Sequence, residues 1–466
     1  MRRIIFLLLL LSTGFVSNAQ QVDSMMIRRI ANEILVNSKA YENLRYLTKQ
    51  IGARLAGSVG MVKSEKWALK VMEESGADKS WLQQCMVPYW VRGGKDEASC
   101  RWIESANNSQ RPDARMMKKT LDIAALGNSM GTGAKGLDAE LIEVTSFDDL
   151  ETKKDKVKGK IVFYNYKFDP TFIKTFQAYS DASKYRGQGP SMAAKYGAVA
   201  VIVRSMSHST DNHPHTGATR YDSAYQKIPA VAIGLRDADW LSENLSKRKM
   251  NVFLRTNGKF FPDTVGHNVI GEIRGSAFPD EIITVGGHLD SWDNCEGAHD
   301  DGAGCVQTIE MLRTFKALGY KPKRTIRFVL FANEENGLRG GNKYAEEAKL
   351  KNEKHIFALE SDAGGFTPRG FGFTVSDVQY NKIIKWRELI APYGAGEFVR
   401  GGGGADIGPL NRTFATPVAG LNPDSQRYFD IHHARNDVFE NVNKRELELG
   451  AVNMAALIYL VDQYGL

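Results

Sequence analysis

The sequence predicts an α/β protein: a mixed, mainly parallel sheet flanked by helices, with a β-rich unit inserted in the chain. Three observations carry this. From about Asn268 onward, short apolar runs alternate with helical periodicity, the texture of strand–helix–strand units. Between about Leu121 and Leu254 the chain reads as short β-branched runs among turns. Ahead of both, apolar residues recur at helical spacing.

Taken in order, residues 1–19 read as an export signal. Arg2 and Arg3 give a positive start, Ile4 to Val16 is largely apolar, and Ser17-Asn18-Ala19 offers small residues for cleavage. The apolar stretch falls short of the roughly 20 residues a membrane span needs, and no cysteine directly follows the cleavage site to carry a lipid. A secreted or periplasmic protein, with no membrane attachment after cleavage, is expected. Met26, Ile27, Ile30, Ile34 and Leu35 predict a helix from Ser24 to roughly Lys49, and a second runs from about Met61 to Glu74. The insert, placed at 120–255, carries the strand runs 141–144, 160–163 and 198–203 and one helix near Ser191 to Tyr196. It divides a larger domain into 20–119 and 256–466. In the second part, strands are expected at 282–285, 325–331 and 356–359, with helices at 302–318 and about 444–462.

Composition bounds the function. With 42% hydrophobic and 25% charged residues the chain is neither disordered nor a multi-span membrane protein. A net charge of +7 over 466 residues, without a basic block, gives no nucleic-acid signature. Four cysteines, in the local pairs 85/100 and 295/305, form no metal motif and are too few for a disulfide framework. Export makes them eligible for bridges. A 295/305 bridge would stiffen the loop around Asp300; two buried thiols are the alternative.

Two motifs fail on context. Gly127-Asn128-Ser129-Met130-Gly131 fits the nucleophile-elbow pattern, and Gly131 to Gly136 fits a dinucleotide fingerprint. Both require a helix immediately afterwards, and the chain runs instead into a loop and a strand.

The second half is richer. His288-Leu289-Asp290 stands at the end of one strand, and Gly297-Ala298-His299-Asp300-Asp301 opens the next helix. Glu334-Glu335 and Asp362 end the next two strands, and His432-His433 lies near the C-terminus with Asp437 beyond it. Carboxylates gathered at one sheet edge repel unless cations lie between them. Oxygen and imidazole ligands without thiolate suit zinc, manganese or cobalt.

This ordered series resembles the co-catalytic di-zinc exopeptidases of the aminopeptidase/glutamate carboxypeptidase superfamily, nearest the plasma glutamate carboxypeptidase (carboxypeptidase Q) branch. Gly52-Ala53-Arg54-Leu55-Ala56-Gly57-Ser58, Pro214-His215-Thr216-Gly217 and Glu360 to Gly365 support the likeness. The resemblance implies two divalent metal ions, expected to be Zn2+. His288 and Asp362 would hold one, Glu335 and His433 the other, and Asp300 would bridge them. Glu334 would be the general base, and Asp290 would orient His288. The family pattern selects Asp300 over Asp301 and His433 over His432. His299 is left as an exposed loop histidine. The insert resembles a protease-associated domain, with Pro214 to Gly217 as a lid, and its His208, His213 and His215 lack the carboxylate spacing of a third metal site. The resemblance further implies small peptides, dipeptides above all, as substrates, and a homodimer. An aminopeptidase acting on longer peptides and a non-catalytic receptor-like protein are the alternatives. End-specificity is expected in the loops Gly401 to Asp406 and Asn411 to Asp424.

Overall fold

The computed structural model describes residues 2–105 and 114–466, with side chains for 20–104 and 115–466. The leader read at 1–19 therefore lies outside the residues whose side chains are described. Among the described residues, no helix is long and apolar enough to cross a membrane.

Two eight-stranded sheets organise the chain. The first runs, edge to edge, Lys79–Val91, Lys259–Ile273, Arg324–Phe331, Phe278–His288, Lys354–Glu360, Val418–Pro423, Pro368–Thr374 and Glu397–Arg400. Its four central strands are mutually parallel, and the pairs at Lys79–Val91/Lys259–Ile273, Lys259–Ile273/Arg324–Phe331 and Pro368–Thr374/Val418–Pro423 are antiparallel. The central strands are buried on both faces, and that demands continuous apolar runs such as Phe328 to Phe331.

Helices cover each face. The helix Lys444–Tyr464 packs with Ala303–Ala317 and with Ile27, Ile30 and Ile34 against one side. Tyr344, Ala345 and Ala348 of the helix Arg339–Leu350 close the other over Ile270, Val329 and Ala358. The N-terminal helix ends at Asn37, and a shorter one, Ala40–Tyr46, comes after it. The helical spacing expected through Lys49 thus belongs to three segments, the last of them Leu47–Ile51.

The second sheet takes strands from Glu97–Ser105 through Asn251–Arg255. It begins before the boundary expected at residue 120, because Glu97–Ser105 pairs with both Ala114–Leu121 and Asn251–Arg255. Its core strands Leu137–Val144, Ile161–Tyr164, Ala200–Arg204 and Ala230–Ile233 are parallel. Helices including Thr175–Ala182 and Leu235–Leu245, unseen in the sequence, cover it. Aromatic rings fasten this unit to the first sheet's loops: Phe168, Phe176 and Tyr179 meet Phe429 at 4.7–5.6 Å. Gly127 of the false nucleophile elbow lies flat on Trp292, where a Cβ would come within 1.9 Å of the indole. That glycine serves close packing.

All four cysteines are free thiols. Cys305 donates to the His288 carbonyl at 2.9 Å, and Cys295 lies 3.6 Å from the Trp292 carbonyl. Cys85 is in the first sheet, whereas Cys100 lies against Met250 in the second. For Cys85 and Cys100, the local spacing in sequence is not an adjacency in space.

Candidate metal centre

The parallel strands deliver their carboxyl ends to one edge, where sites form in open α/β sheets. Phe278–His288 ends on His288 itself, opposite Phe331, and Gly286 pairs with Glu360. The turns after these strands hold Glu334, Glu335 and Asp362, while the segment Ala298–Gly302 brings Asp300.

The side chains converge closely. His288 Nε2 lies 3.2 Å from Asp300 Oδ1 and 3.3 Å from Asp362 Oδ1. His433 Nε2 lies 3.2 Å from Asp300 Oδ2 and 3.2 Å from Glu335 Oε2. Asp300 thus stands between two groups, one oxygen toward each. His288 Nε2, Asp300 Oδ2 and Glu335 Oε1 are buried without a hydrogen-bond partner. Each of these residues carries an orphaned atom, and its donor atoms stand 3.2–3.3 Å from those of a neighbour, an arrangement that fits shared cations. Ligands about 2.1 Å from a tetrahedral zinc stand roughly 3.3–3.4 Å apart.

Electrostatics agrees. Burial and the Asp300 charge push the Glu335 carboxyl well above its ordinary range. Burial, aided by Asp362 and Asp300, raises Glu334 to about 8. Burial opposes the ionised form of Asp300 too, but the imidazoles of His288 and His433, each 3.2 Å away, outweigh it and hold the carboxylate well below normal. Burial also lowers His288, yet Asp362 and Asp300 hold it well above normal. Without cations, this many carboxylates cannot all stay ionised.

Neighbouring groups fix the orientations. His288 Nδ1–H donates to the Asp290 backbone carbonyl at 3.0 Å, leaving the Nε2 lone pair toward Asp300. The Asp290 carboxylate, expected to perform that task, stands 3.7 Å from Nδ1. It accepts instead from the backbone N–H groups of Glu334 at 2.9 Å and Glu335 at 3.3 Å. Both oxygens of Asp301 accept backbone N–H groups, from His288 and Gly304, each at 3.0 Å. The Asp437 carboxylate accepts from the amides of His299 and Asp300 at 2.8 and 3.1 Å.

The expectation of an exposed His299 is corrected. It is 1% exposed, stacked on Phe366 at 4.2 Å, its Nδ1 accepting from Gly365 N–H and its Nε2–H donating to Asn441 O. A residue beside a ligand loop in sequence is here part of the wall behind it.

His432 also reaches Asp300, at 3.5 Å, and stacks on His433 with ring centroids 3.5 Å apart. His433 alone of the two reaches Glu335. The inserted unit contributes as well. Thr216 N–H donates to the His433 carbonyl at 2.9 Å, and Thr216 O lies 3.3 Å from His433 Nδ1. Pro214 to Gly217 is therefore pinned directly to the site.

The cleft above, roughly 530 Å³, is lined by Asp300, Glu334, Glu335, Asp362 and both histidines on one side. Phe176, Tyr179, Arg186 and Arg220 of the inserted unit complete it. No residue of the loops Gly401 to Asp406 or Asn411 to Asp424, expected to set end-specificity, lines it. Asp406 is turned inward, its amide donating to Glu360.

Comparison with known proteins agrees with this geometry. Residues 268–458, which hold every expected ligand, match the model of Peptidase family M28. Carboxypeptidase Q of Mus musculus is 34% identical over 425 residues, covering 91% of this chain and 86% of that protein. The chain belongs to peptidase family M28. It is a metallo-exopeptidase related to carboxypeptidase Q, a hydrolase with an M28-type α/β fold. The crystal structure of a Peptidase M28 precursor from Shewanella amazonensis superposes with a TM-score of 0.87 at 31% identity, covering 96% of this chain and 98% of that one. A zinc aminopeptidase from Bacillus subtilis shares the M28 fold, with a TM-score of 0.62, 24% identity and coverage of 91% and 94%.

Proposed function

We propose that this M28 member is an exported di-metal dipeptidase, releasing amino acids from small peptides with a glutamate as general base. The observation that carries the reading is the paired geometry around Asp300, with one carboxylate oxygen toward His288 and the other toward His433. His288 and Asp362 would hold one divalent cation, Glu335 and His433 the second, with Asp300 between; zinc suits these donors. Bound there, two such cations would polarise the scissile carbonyl and acidify a water.

The protein's own groups supply the rest. Glu334 lines the cleft, and its carboxyl makes no hydrogen bond or ion pair among the described residues. It is available to take a proton from the attacking water and return it to the leaving amine. The Asp290 carboxylate aims Glu334 and Glu335 together through their backbone amides. The unit from Glu97 to Arg255 acts as a protease-associated domain that roofs the cleft, restricting it to short peptides. Export by the leader read at residues 1–19, and assembly as a homodimer on the family resemblance, belong to the same reading.

Elemental analysis and a dipeptide assay test it together. Two equivalents of divalent metal per chain and loss of turnover on chelation, restored by zinc, are expected. Turnover undiminished in metal-free protein would sink the proposal.

A further inference from the structure

We infer that Arg220 and Arg186, both from the inserted unit, bind the free α-carboxylate of the peptide substrate and make the enzyme select for it. The inference rests on the dipeptidase reading and names the residues that anchor the substrate's far end.

The charge pattern of the cleft is lopsided. Asp300, Glu334, Glu335 and Asp362 line one side, and the arginines are the two permanent cations among its described lining residues. Two divalent cations would balance those four carboxylates, leaving the guanidinium charges for an incoming anion. Neither arginine forms an ion pair with an Asp or Glu among the described residues. Arg186 is half-buried, its Nε wholly buried and without a partner. Its other nitrogens meet neutral groups: Nη2 donates to the Tyr179 hydroxyl, while Nη1 lies 3.4 Å from Thr216 O and 3.4 Å from His433 Nδ1. A half-buried guanidinium whose partners are all neutral, with one nitrogen unpaired, suits an anion.

The chain also makes room for it. Gly217 has φ +127°, and a Cβ there would lie 2.5 Å from Arg186 Cζ. Arg220 springs from the adjoining backbone, its N–H bonded to Gly187 O at 2.8 Å, and stands exposed at the rim. The two arginines thus come from tethered segments, one deep beside His433 and one at the mouth. A carboxylate one residue beyond the scissile bond lies on the leaving side of the reacting carbonyl. Two guanidinium groups lining the same cleft as the metal ligands suit that position, and a planar guanidinium fork matches a carboxylate.

The test uses the full-length, zinc-loaded protein with Ala-Leu, Ala-Leu amide and Ala-Glu amide. The wild type should prefer the free acid over its amide by roughly 10- to 100-fold in kcat/KM, as charge-assisted hydrogen bonds allow. In Arg220→Met that ratio should fall toward one, chiefly through KM, and Arg220→Lys should restore part of it. Because Arg220 is exposed, these variants should fold normally, and unchanged zinc content checks it. An equal loss on acid and amide, or a wild type indifferent to amidation, overturns the arginine site while leaving the dipeptidase reading intact. Hydrolysis of Ala-Glu amide as fast as Ala-Leu assigns the arginines to a side-chain carboxylate and overturns the α-carboxylate assignment. No hydrolysis of any of the three removes both proposals.

Discussion

Thr216 and His433 hold each other in two directions. The Thr216 N–H donates to the His433 carbonyl at 2.9 Å, and the Thr216 carbonyl stands 3.3 Å from His433 Nδ1. A segment from one sheet's unit thereby sets the ring of a residue in the other's.

Gly217→Ala probes that hold. Its Cβ would press on the Arg186 guanidinium, and its φ of +127° strains any L residue. Displacing Thr216 O should weaken the metal held by His433 about 10-fold, the low end for loss of an outer partner. Competition with a chelator measures it, and wild-type affinity would show that Thr216 does not orient the ring.

The adjacent glutamates should separate cleanly. Glu335→Ala, which removes a ligand, should bind one metal fewer and lose activity. Glu334→Gln should keep both metals and the fold yet lose about 10²–10⁴-fold in turnover, the usual cost of removing a general base. Near-normal turnover in Glu334→Gln would shift the assignment by one residue.

His299 makes stability depend on acid. Burial lowers its pKa to about 4, and its Nδ1 must stay unprotonated to accept from Gly365. Between pH 6.5 and 4 the unfolded chain binds a proton that the folded site refuses, so stability falls as pH falls. From pH 7 to 5 the loss from this residue should be ~2 kcal/mol. Urea unfolding of wild type and His299→Gln at both pH values measures it, and parallel losses in the two proteins would contradict it.

Free thiols give a direct chemical count. Unfolded in denaturant without reductant, the protein should take up four alkyl groups, one for each of Cys85, Cys100, Cys295 and Cys305. A peptide carrying Cys295 and Cys305 that resists labelling until reduced would restore the bridge considered from sequence.

Periodicity made the parallel core and its strand ends legible, because strands buried on both faces are written as apolar runs that stop where the chemistry starts. The family resemblance, and not periodicity, named His288, Glu335, Asp362 and His433, which the structure brings together with Asp300, and it passed over His432, which also reaches Asp300. What escaped depends on contacts distant in sequence. Nothing near Asp290 says that its carboxylate caps the amides of Glu334 and Glu335 rather than His288. His299 reads as surface until Phe366 and Asn441 close over it. Arg186 and Arg220 fall in helix and loop segments whose periodicity is weak, and only the docking of the second unit brings them to the cleft.

Arg54 has a consequence for how the protein is made. Wholly buried, it donates to the carbonyls of Leu289, Glu296 and Gly297 at 2.5, 2.6 and 2.8 Å, bracing the loop that leads to Asp300. The ribosome completes Arg54 long before it reaches Gly297. At about 5–20 residues per second the delay is on the order of ten to fifty seconds. During that interval the side chain has none of its final acceptors, while the whole second sheet is synthesised between the two. The family-matching stretch 268–458 contains the loop but not its brace. Translated alone, it would leave three carbonyls at the mouth of the metal loop with no guanidinium to collect them, so the first part of the chain acts as a template for the last.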